Sequence, residues 1–201
     1  MLTVAGMGPG ALSLMTPAAH AAVAEAQVLV GGKRHLAQFA DFPGERYVLT
    51  ADIPALLAWL GDNLHRRVVV LASGDPLFFG IGKRLLAHFG HDAVRIIPGI
   101  SAVQYLCAQT GIDMNDIWLT SSHGRAVDID ELARQKKTGM VTDARCGPRD
   151  IAAALTARGL GHRWLVIGEN LASDQQRIHW LQARDVTLPY AMNALVILDE
   201  R

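Results

Sequence analysis

Three short glycine-containing segments carry the chemistry of this chain: Gly6-Met7-Gly8-Pro9-Gly10, Ser73-Gly74-Asp75-Pro76 and Pro98-Gly99-Ile100-Ser101. Each follows an apolar run: Leu2-Thr3-Val4-Ala5, then Val68–Ala72, then Val94–Ile97. A strand that ends in such a loop places bare backbone at the carboxyl edge of a sheet, where the ligands of open α/β folds sit. Together the loops offer backbone donors and acceptors, one carboxylate (Asp75) and a hydroxyl at a helix start (Ser101). They contain no lysine, so this is not a Walker-type phosphate loop. A lone carboxylate among glycines suits a ligand with cationic or N–H groups better than a polyphosphate. Taken singly, Gly-Asp-Pro is a turn and Pro-Gly-x-Ser a turn with a cap. Their joint placement is what points to a site.

Gly6-x-Gly8-x-x-Ala11 formally fits a dinucleotide fingerprint, but three features argue against that ligand. The fingerprint needs a helix that opens on the glycines; here the helix signal comes late, with Thr16 as N-cap and Pro17 as first helical residue. Pro9 removes one N–H donor from the loop. The second strand, 28–30, runs into Gly31-Gly32 instead of ending in an acid that would hold a ribose, and Glu25 falls inside the preceding helix.

The elements that must position these loops alternate along the chain. Strands are expected at 4–6, 28–30, 68–72 and 94–97, and helices at 17–26, 53–64, 81–89 and 101–109. Leu56, Leu57 and Leu60 recur at helical spacing, and the β-branched run Val68–Ala72 reads as a parallel strand buried on both faces. This is βαβα order with a mostly parallel sheet. The stretch from Ser121 to Lys137 turns polar, and the pattern then restarts with strands at 140–142, 163–167, 178–181 and 194–198 and a helix at 149–157. The expectation is an α/β fold of two lobes, 1–122 and 123–201, hinged around 120–127, with a mostly parallel sheet in the first and a mixed sheet in the second. A cleft between such lobes is a natural binding site.

Composition narrows the partners. Half of the 201 residues are apolar, 19% are charged, and 19 basic residues balance 19 acidic ones. No basic run marks a nucleic-acid or membrane surface. No apolar stretch approaches a membrane span and the first residues lack a charged, cleavable leader, so a cytoplasmic location is expected. Cys107 and Cys146 are far apart in sequence and are expected to stay reduced. None of the eight histidines forms a His-x-x-x-His pair, and no metal site is expected.

The three loops, in this order, resemble the tetrapyrrole methylase family, and the resemblance covers nearly the whole chain. Further segments narrow it to the branch that methylates C5 of a precorrin in cobalamin synthesis: Val30-Gly31-Gly32-Lys33-Arg34-His35-Leu36, Ser122-His123-Gly124-Arg125, Val141-Thr142-Asp143 with Gly147-Pro148, and Gly168-Glu169-Asn170-Leu171. The resemblance implies two α/β lobes with S-adenosylmethionine in the cleft between them. It implies that Gly8, Pro9, Gly74, Asp75, Phe78, Ser101 and Ala102 line the cofactor pocket, and that Thr142, Asn170 and Ala194 lie near adenine. Phe78-Phe79-Gly80 is a bulky version of the family's small-then-aromatic pattern.

A tetrapyrrole carries many acetate and propionate carboxylates, so cations are expected around its site. Lys33, Arg34 and His35 are the candidates for holding substrate, with Arg145 and Arg149 behind them; the bland reading of the triplet is a solvated helix start. His123 and Arg125 are further cation candidates and the catalytic candidates, His123 as proton acceptor or donor; the bland reading of His123 is a hinge residue bonded to backbone. The expected protein is a homodimer or larger. A C15-methylating, decarboxylating activity is expected on a separate partner. The alternatives are a sister methylase acting at another ring position and a non-catalytic nucleotide-binding module.

Overall fold

An apolar strand such as Val68–Ala72 needs a neighbour at each edge and cover on both faces. In the computed structural model, which describes all residues from Met1 to Arg201, it is the middle strand of a five-stranded sheet. The strands are β1 (Leu2–Gly6), β2 (Val28–Gly31), β3 (Glu45–Val48), β4 (Val68–Ala72) and β5 (Val94–Ile97). Their order is β3-β2-β4-β1-β5, and every pairing is parallel. Side chains alternate between the faces. Val4, Val30 and Val70 pack with Leu56 and Leu60 of α3 (Ile53–Asp62) and Leu85 of α4 (Gly82–Phe89). Ala5, Leu29, Val69 and Leu71 pack with Ala19 and Val23 of α1 (Pro17–Glu25) and Leu36 of α2 (Lys33–Ala37). As expected, Thr16 caps α1: its Oγ1 accepts from Ala19 N at 3.2 Å, with Pro17 next in line.

The second sheet is mixed. It contains β6 (Trp118–Ser121), β7 (Lys137–Val141), β8 (Trp164–Glu169), β9 (Arg177–Gln182) and β10 (Asn193–Leu198) in the order β6-β7-β10-β8-β9. Only β6 and β7 are parallel neighbours. Leu132 of α6 (Ile129–Arg134) and Ile151 and Leu155 of α7 (Pro148–Thr156) bury against Met140, Leu165, Ile167, Leu195 and Ile197. The helix α5 (Ala102–Thr110) packs on β10 and β7. It comes so close that a Cβ on Gly139 would stand 2.6 Å from Val103 Cγ1, and one on Gly168 2.8 Å from Leu106 Cδ1.

The contacts divide the chain into Met1–Ser101 and Ala102–Arg201. The division therefore precedes α5, where the sequence suggested 122/123. The reason is physical: α5 spends its apolar face on the second sheet, and β6 pairs with β7. Of the residues 120–127 expected as a hinge, the first two close β6 and the rest lead to α6, capped by Asp128, whose Oδ1 accepts from Glu131 N at 2.9 Å. No helix is long and apolar enough to cross a membrane.

Candidate functional site

The order β4-β1-β5 brings the three glycine loops side by side at the carboxyl edge of the first sheet. Met7 N donates to Ala72 O at 2.8 Å, and Gly8 and Gly74 exchange both backbone bonds at 3.2 and 2.9 Å. Gly8 and Gly74 both have positive φ, +73° and +60°, the left-handed region that glycine enters without a side-chain clash. The loops interlock as bare backbone. A Cβ on Gly6 would lie 2.5 Å from Gly99 N, and one on Gly99 would lie 2.2 Å from Gly74 O. Asp75 joins them: Oδ1 accepts from Leu77 N at 2.8 Å and Oδ2 from Gly99 N at 3.1 Å. Pro9 and Ser101 are buried and Phe78 is half-buried, its ring edge-on to Phe79. Ala102 is the first residue of α5.

Of the triplet Lys33-Arg34-His35, all on α2, two side chains reach the loop after β4. Arg34 Nη2 donates to Ser73 Oγ at 3.3 Å, and Ser73 Oγ lies 3.1 Å from His35 Nε2. Burial first, then the Arg34 charge, lower the His35 pKa to about 4. Lys33 is exposed. Gln38 Nε2 donates to Gly10 O at 3.1 Å, which fixes the end of α2 to the loop after β1. The triplet stands out in the sequence by its charge, and Ser73 within its loop motif; the bonds that join them, and that of Gln38, do not. The one signal was Gly31-Gly32, which lets α2 start against the sheet edge.

The second unit gathers the other expected residues at one edge of its own sheet. Thr142 follows β7, Asn170 follows β8 and Ala194 lies at the start of β10. Thr142 Oγ1 donates to Asn193 Oδ1 at 2.8 Å, and Asn170 N, at φ +48°, donates to Met192 O at 2.9 Å. Beside them, Glu169 accepts from Ala191 N at 2.6 Å and lies 3.4 Å from His179 Nε2.

His123 and Arg125 are exposed on the loop after β6, and that loop is clipped to the turn after β7. Asp143 Oδ2 accepts from Gly124 N at 3.0 Å; its Oδ1 accepts from Arg145 N at 2.9 Å and Cys146 N at 3.2 Å. Ser122 Oγ adds a 2.7 Å bond to Cys146 O. The backbone N–H groups, Gly124 first, hold the Asp143 carboxyl below the usual carboxylate range. The clip brings His123, Arg125 and Arg145 onto one pair of joined loops.

The sequence pattern of the tetrapyrrole (corrin/porphyrin) methylases matches residues 1–186. The chain belongs to that family. This tetrapyrrole methylase is 66% identical over 201 residues to the cobalt-precorrin-7 C(5)-methyltransferase of Salmonella typhimurium, across 100% of both chains. It is 32% identical over 180 residues to the decarboxylating precorrin-6Y C(5,15)-methyltransferase of a Sinorhizobium species, covering 88% of this chain and 44% of that one. Among solved structures, the uroporphyrin-III C-methyltransferase of Thermus thermophilus, complexed with S-adenosylhomocysteine, superposes with a TM-score of 0.82 at 19% identity, over 98% of this chain and 96% of that one. The precorrin-6Y methylase of Archaeoglobus fulgidus gives 0.77 at 24% identity, over 100% and 99%. These structures establish the fold: the parallel first sheet and mixed second sheet are those of a tetrapyrrole methylase, as the sequence implied.

Proposed function

We propose that this methylase transfers a methyl group from S-adenosylmethionine to C5 of a precorrin, precorrin-7 or cobalt-precorrin-7, in cobalamin biosynthesis. The observation that carries the proposal is the 66% identity to a cobalt-precorrin-7 C(5)-methyltransferase across both whole chains. The cobalt-bearing substrate is the one that this relative's name favours.

The donor set fits the cofactor. With the Gly8 and Gly74 N–H groups spent on each other, the Asp75 carboxylate among glycines and without a lysine suits a zwitterionic amino-acid moiety on a sulfonium, not a chain of phosphates. In this reading Gly8, Pro9, Gly74, Asp75, Phe78, Ser101 and Ala102 line the cofactor pocket, Asp75 accepting from the methionyl amine or the ribose, and Thr142, Asn170 and Ala194 lie near adenine. Bound there, S-adenosylmethionine supplies an electrophilic methyl group to an electron-rich meso carbon by in-line displacement, chemistry that needs alignment more than an activated side chain. The interlocked glycines keep the loop backbone rigid, which supports that alignment. Lys33, Arg34 and His35 face the substrate carboxylates, Arg125 a further one, and His123 exchanges the proton that the methylated carbon must lose. The enzyme works in the cytoplasm as a homo-oligomer. The relative matched across its whole length is named for C(5) methylation, which supports a separate enzyme for the C15 methylation and decarboxylation.

The test is calorimetry with S-adenosylhomocysteine, NADH and ATP, followed by turnover of cobalt-precorrin-7 with methyl-labelled S-adenosylmethionine. Binding of S-adenosylhomocysteine alone and label at C5 are expected. Label at another carbon would make the protein a sister methylase, and preference for a nucleotide would leave a binding module without this activity.

A further inference from the structure

The loop between β4 and α4 adopts a backbone that burial does not explain. It is closed on itself: Leu77 N donates to Asp75 Oδ1 at 2.8 Å, Phe78 N to Asp75 O at 3.2 Å and Gly82 N to Pro76 O at 3.0 Å. A Cβ on Gly80 would lie 2.6 Å from Pro76 O, so that glycine is there for space. The left-handed position falls one residue earlier, on Phe79, at φ +55°. The other non-glycine residues with positive φ are Asp116, Asn170 and Ala172, which are small or able to bond their own backbone. For a bulky aromatic residue this conformation is strained, and strain of this kind collects at ligand clamps. Burying the ring in a core would offset it, but Phe79 is 39% exposed and Leu77, two residues before it, 51%. Phe79 meets Phe78 edge-on, with ring centroids 5.0 Å apart.

Two exposed apolar side chains on a fixed backbone, two and four residues after Asp75, make a preset surface for an apolar ligand group. We propose that Leu77 and Phe79 take an apolar face of the tetrapyrrole macrocycle, and that the left-handed backbone at Phe79 is kept because it holds the ring at that surface. The macrocycle has charged carboxylates around its edge and broad apolar faces. Cations meet only the edge; the faces need aromatic or aliphatic cover. The position of the loop argues for this occupant. Asp75 Oδ1 holds Leu77 N, so the carboxylate placed at the cofactor also fixes the surface, and the macrocycle must lie against the methyl donor. The inference rests on the tetrapyrrole substrate argued above. It adds what the cations cannot supply, a contact that sets the plane of the macrocycle relative to the methyl group.

The experiment takes Phe79→Asn, Phe79→Gly, Phe79→Leu and Leu77→Ser and measures KM for cobalt-precorrin-7, S-adenosylhomocysteine affinity by calorimetry, and stability in urea. Asparagine and glycine enter the left-handed region readily, so both remove the ring while relieving the backbone. Urea midpoints no lower than that of the unaltered protein are expected for both, with about a tenfold rise in KM, the size of one lost aromatic contact. Leu77→Ser should raise KM as well, and Phe79→Leu, which keeps an apolar side chain, should retain most of the affinity. Cofactor affinity should stay within about twofold throughout. An unchanged KM in Phe79→Asn overturns the proposal. So does a KM rise accompanied by lower urea midpoints in both Phe79→Asn and Phe79→Gly, since the ring then merely packs the loop. Uroporphyrin III, a stable tetrapyrrole octacarboxylate, reads the contact without turnover through quenching of its fluorescence. Weaker binding to Phe79→Asn, by the same factor at low and high salt, is expected, because salt screens charges and not apolar contacts. Equal binding, binding by neither protein, or a difference that vanishes in salt refutes the contact. If the porphyrin difference holds while cobalt-precorrin-7 is not methylated, the C5 assignment fails and the Phe79 assignment stands.

Discussion

The Gly99 N–H donates to Asp75 Oδ2 across 3.1 Å, and that bond ties the loop after β5 to the loop after β4. The other oxygen of Asp75 holds Leu77 N at 2.8 Å within its own loop. Removing the carboxylate frees two N–H groups at the edge where the cofactor is placed. Asp75→Ala is therefore expected to weaken S-adenosylhomocysteine binding about tenfold, the equivalent of about 1.4 kcal/mol. Unchanged affinity by calorimetry would remove Asp75 from the cofactor site.

Gly99 allows no substitution without movement. A Cβ there would lie 2.2 Å from Gly74 O and 2.9 Å from Gly6 Cα, both backbone atoms that cannot swing aside. Overpacking of this kind costs about 1–3 kcal/mol. Gly99→Ala should lose that much in urea denaturation and should bind S-adenosylhomocysteine poorly. Native stability in the variant would mean that the three loops are separable.

His35 makes stability depend on pH. Its folded pKa of about 4 lies below the ordinary 6.5, through burial first and Arg34 second. As pH falls, the unfolded chain takes up the proton before the folded one does. Stability is thus unaffected by this group above pH 6.5 and declines on acidification from there to about 4. In urea titrations, His35→Gln should lose less stability between these two values than the unaltered protein loses. An NMR titration of the ring with a midpoint near 6.5 would show that burial does not keep the ring neutral.

Asp143 holds Gly124 N, Arg145 N and Cys146 N together, and His123 and Arg125 ride on the loop so held. Because its folded pKa is depressed, the stabilisation from the clip is complete above the usual aspartate value and is lost only as pH falls through the lower folded one. Asp143→Ala should lower turnover and leave S-adenosylhomocysteine affinity intact. His123→Ala should reduce kcat about a hundredfold, the low end for an acid–base group, again with cofactor affinity kept. Full activity in both His123→Ala and Arg125→Ala would take those residues out of the site.

The loops were legible because glycine and proline punctuate a chain locally, and the strands β1, β4 and β5 because an apolar run needs no partner to be recognised. What escaped was set by contacts between distant elements. Ser73 and His35, or Asp143 and Gly124, meet only after strands have been ordered side by side, and no periodicity announces a single hydrogen bond. The pattern of α5 shows that it buries a face but not which sheet receives it, so the boundary was expected too late. Edge strand β3 hides for another reason: Glu45 and Arg46 are exposed, as charges on a sheet edge discourage further pairing.

Arg163 supplies the sharpest stability test in the second unit. It is only 5% exposed, yet it carries a charge. Its Nε lies 2.7 Å from Asp199 Oδ1, and its Nη1 donates to Leu132 O at 3.3 Å and Gln135 O at 3.0 Å. It thus fastens the end of α6 and the chain after β10 to the start of β8. Removing the buried guanidinium leaves the Leu132 and Gln135 carbonyls without their donor, and an unsatisfied buried polar group costs about 1–3 kcal/mol. Arg163→Ala should therefore unfold at clearly lower urea concentration, by an amount near that figure. Asp199→Ala should cost less, since Asp199 is 35% exposed at its side chain and Arg163 keeps its two carbonyl acceptors. Equal losses in the two variants would mean that the ion pair, and not the carbonyl bonds, holds these segments together. Negligible loss in Arg163→Ala would mean that water enters to replace the guanidinium.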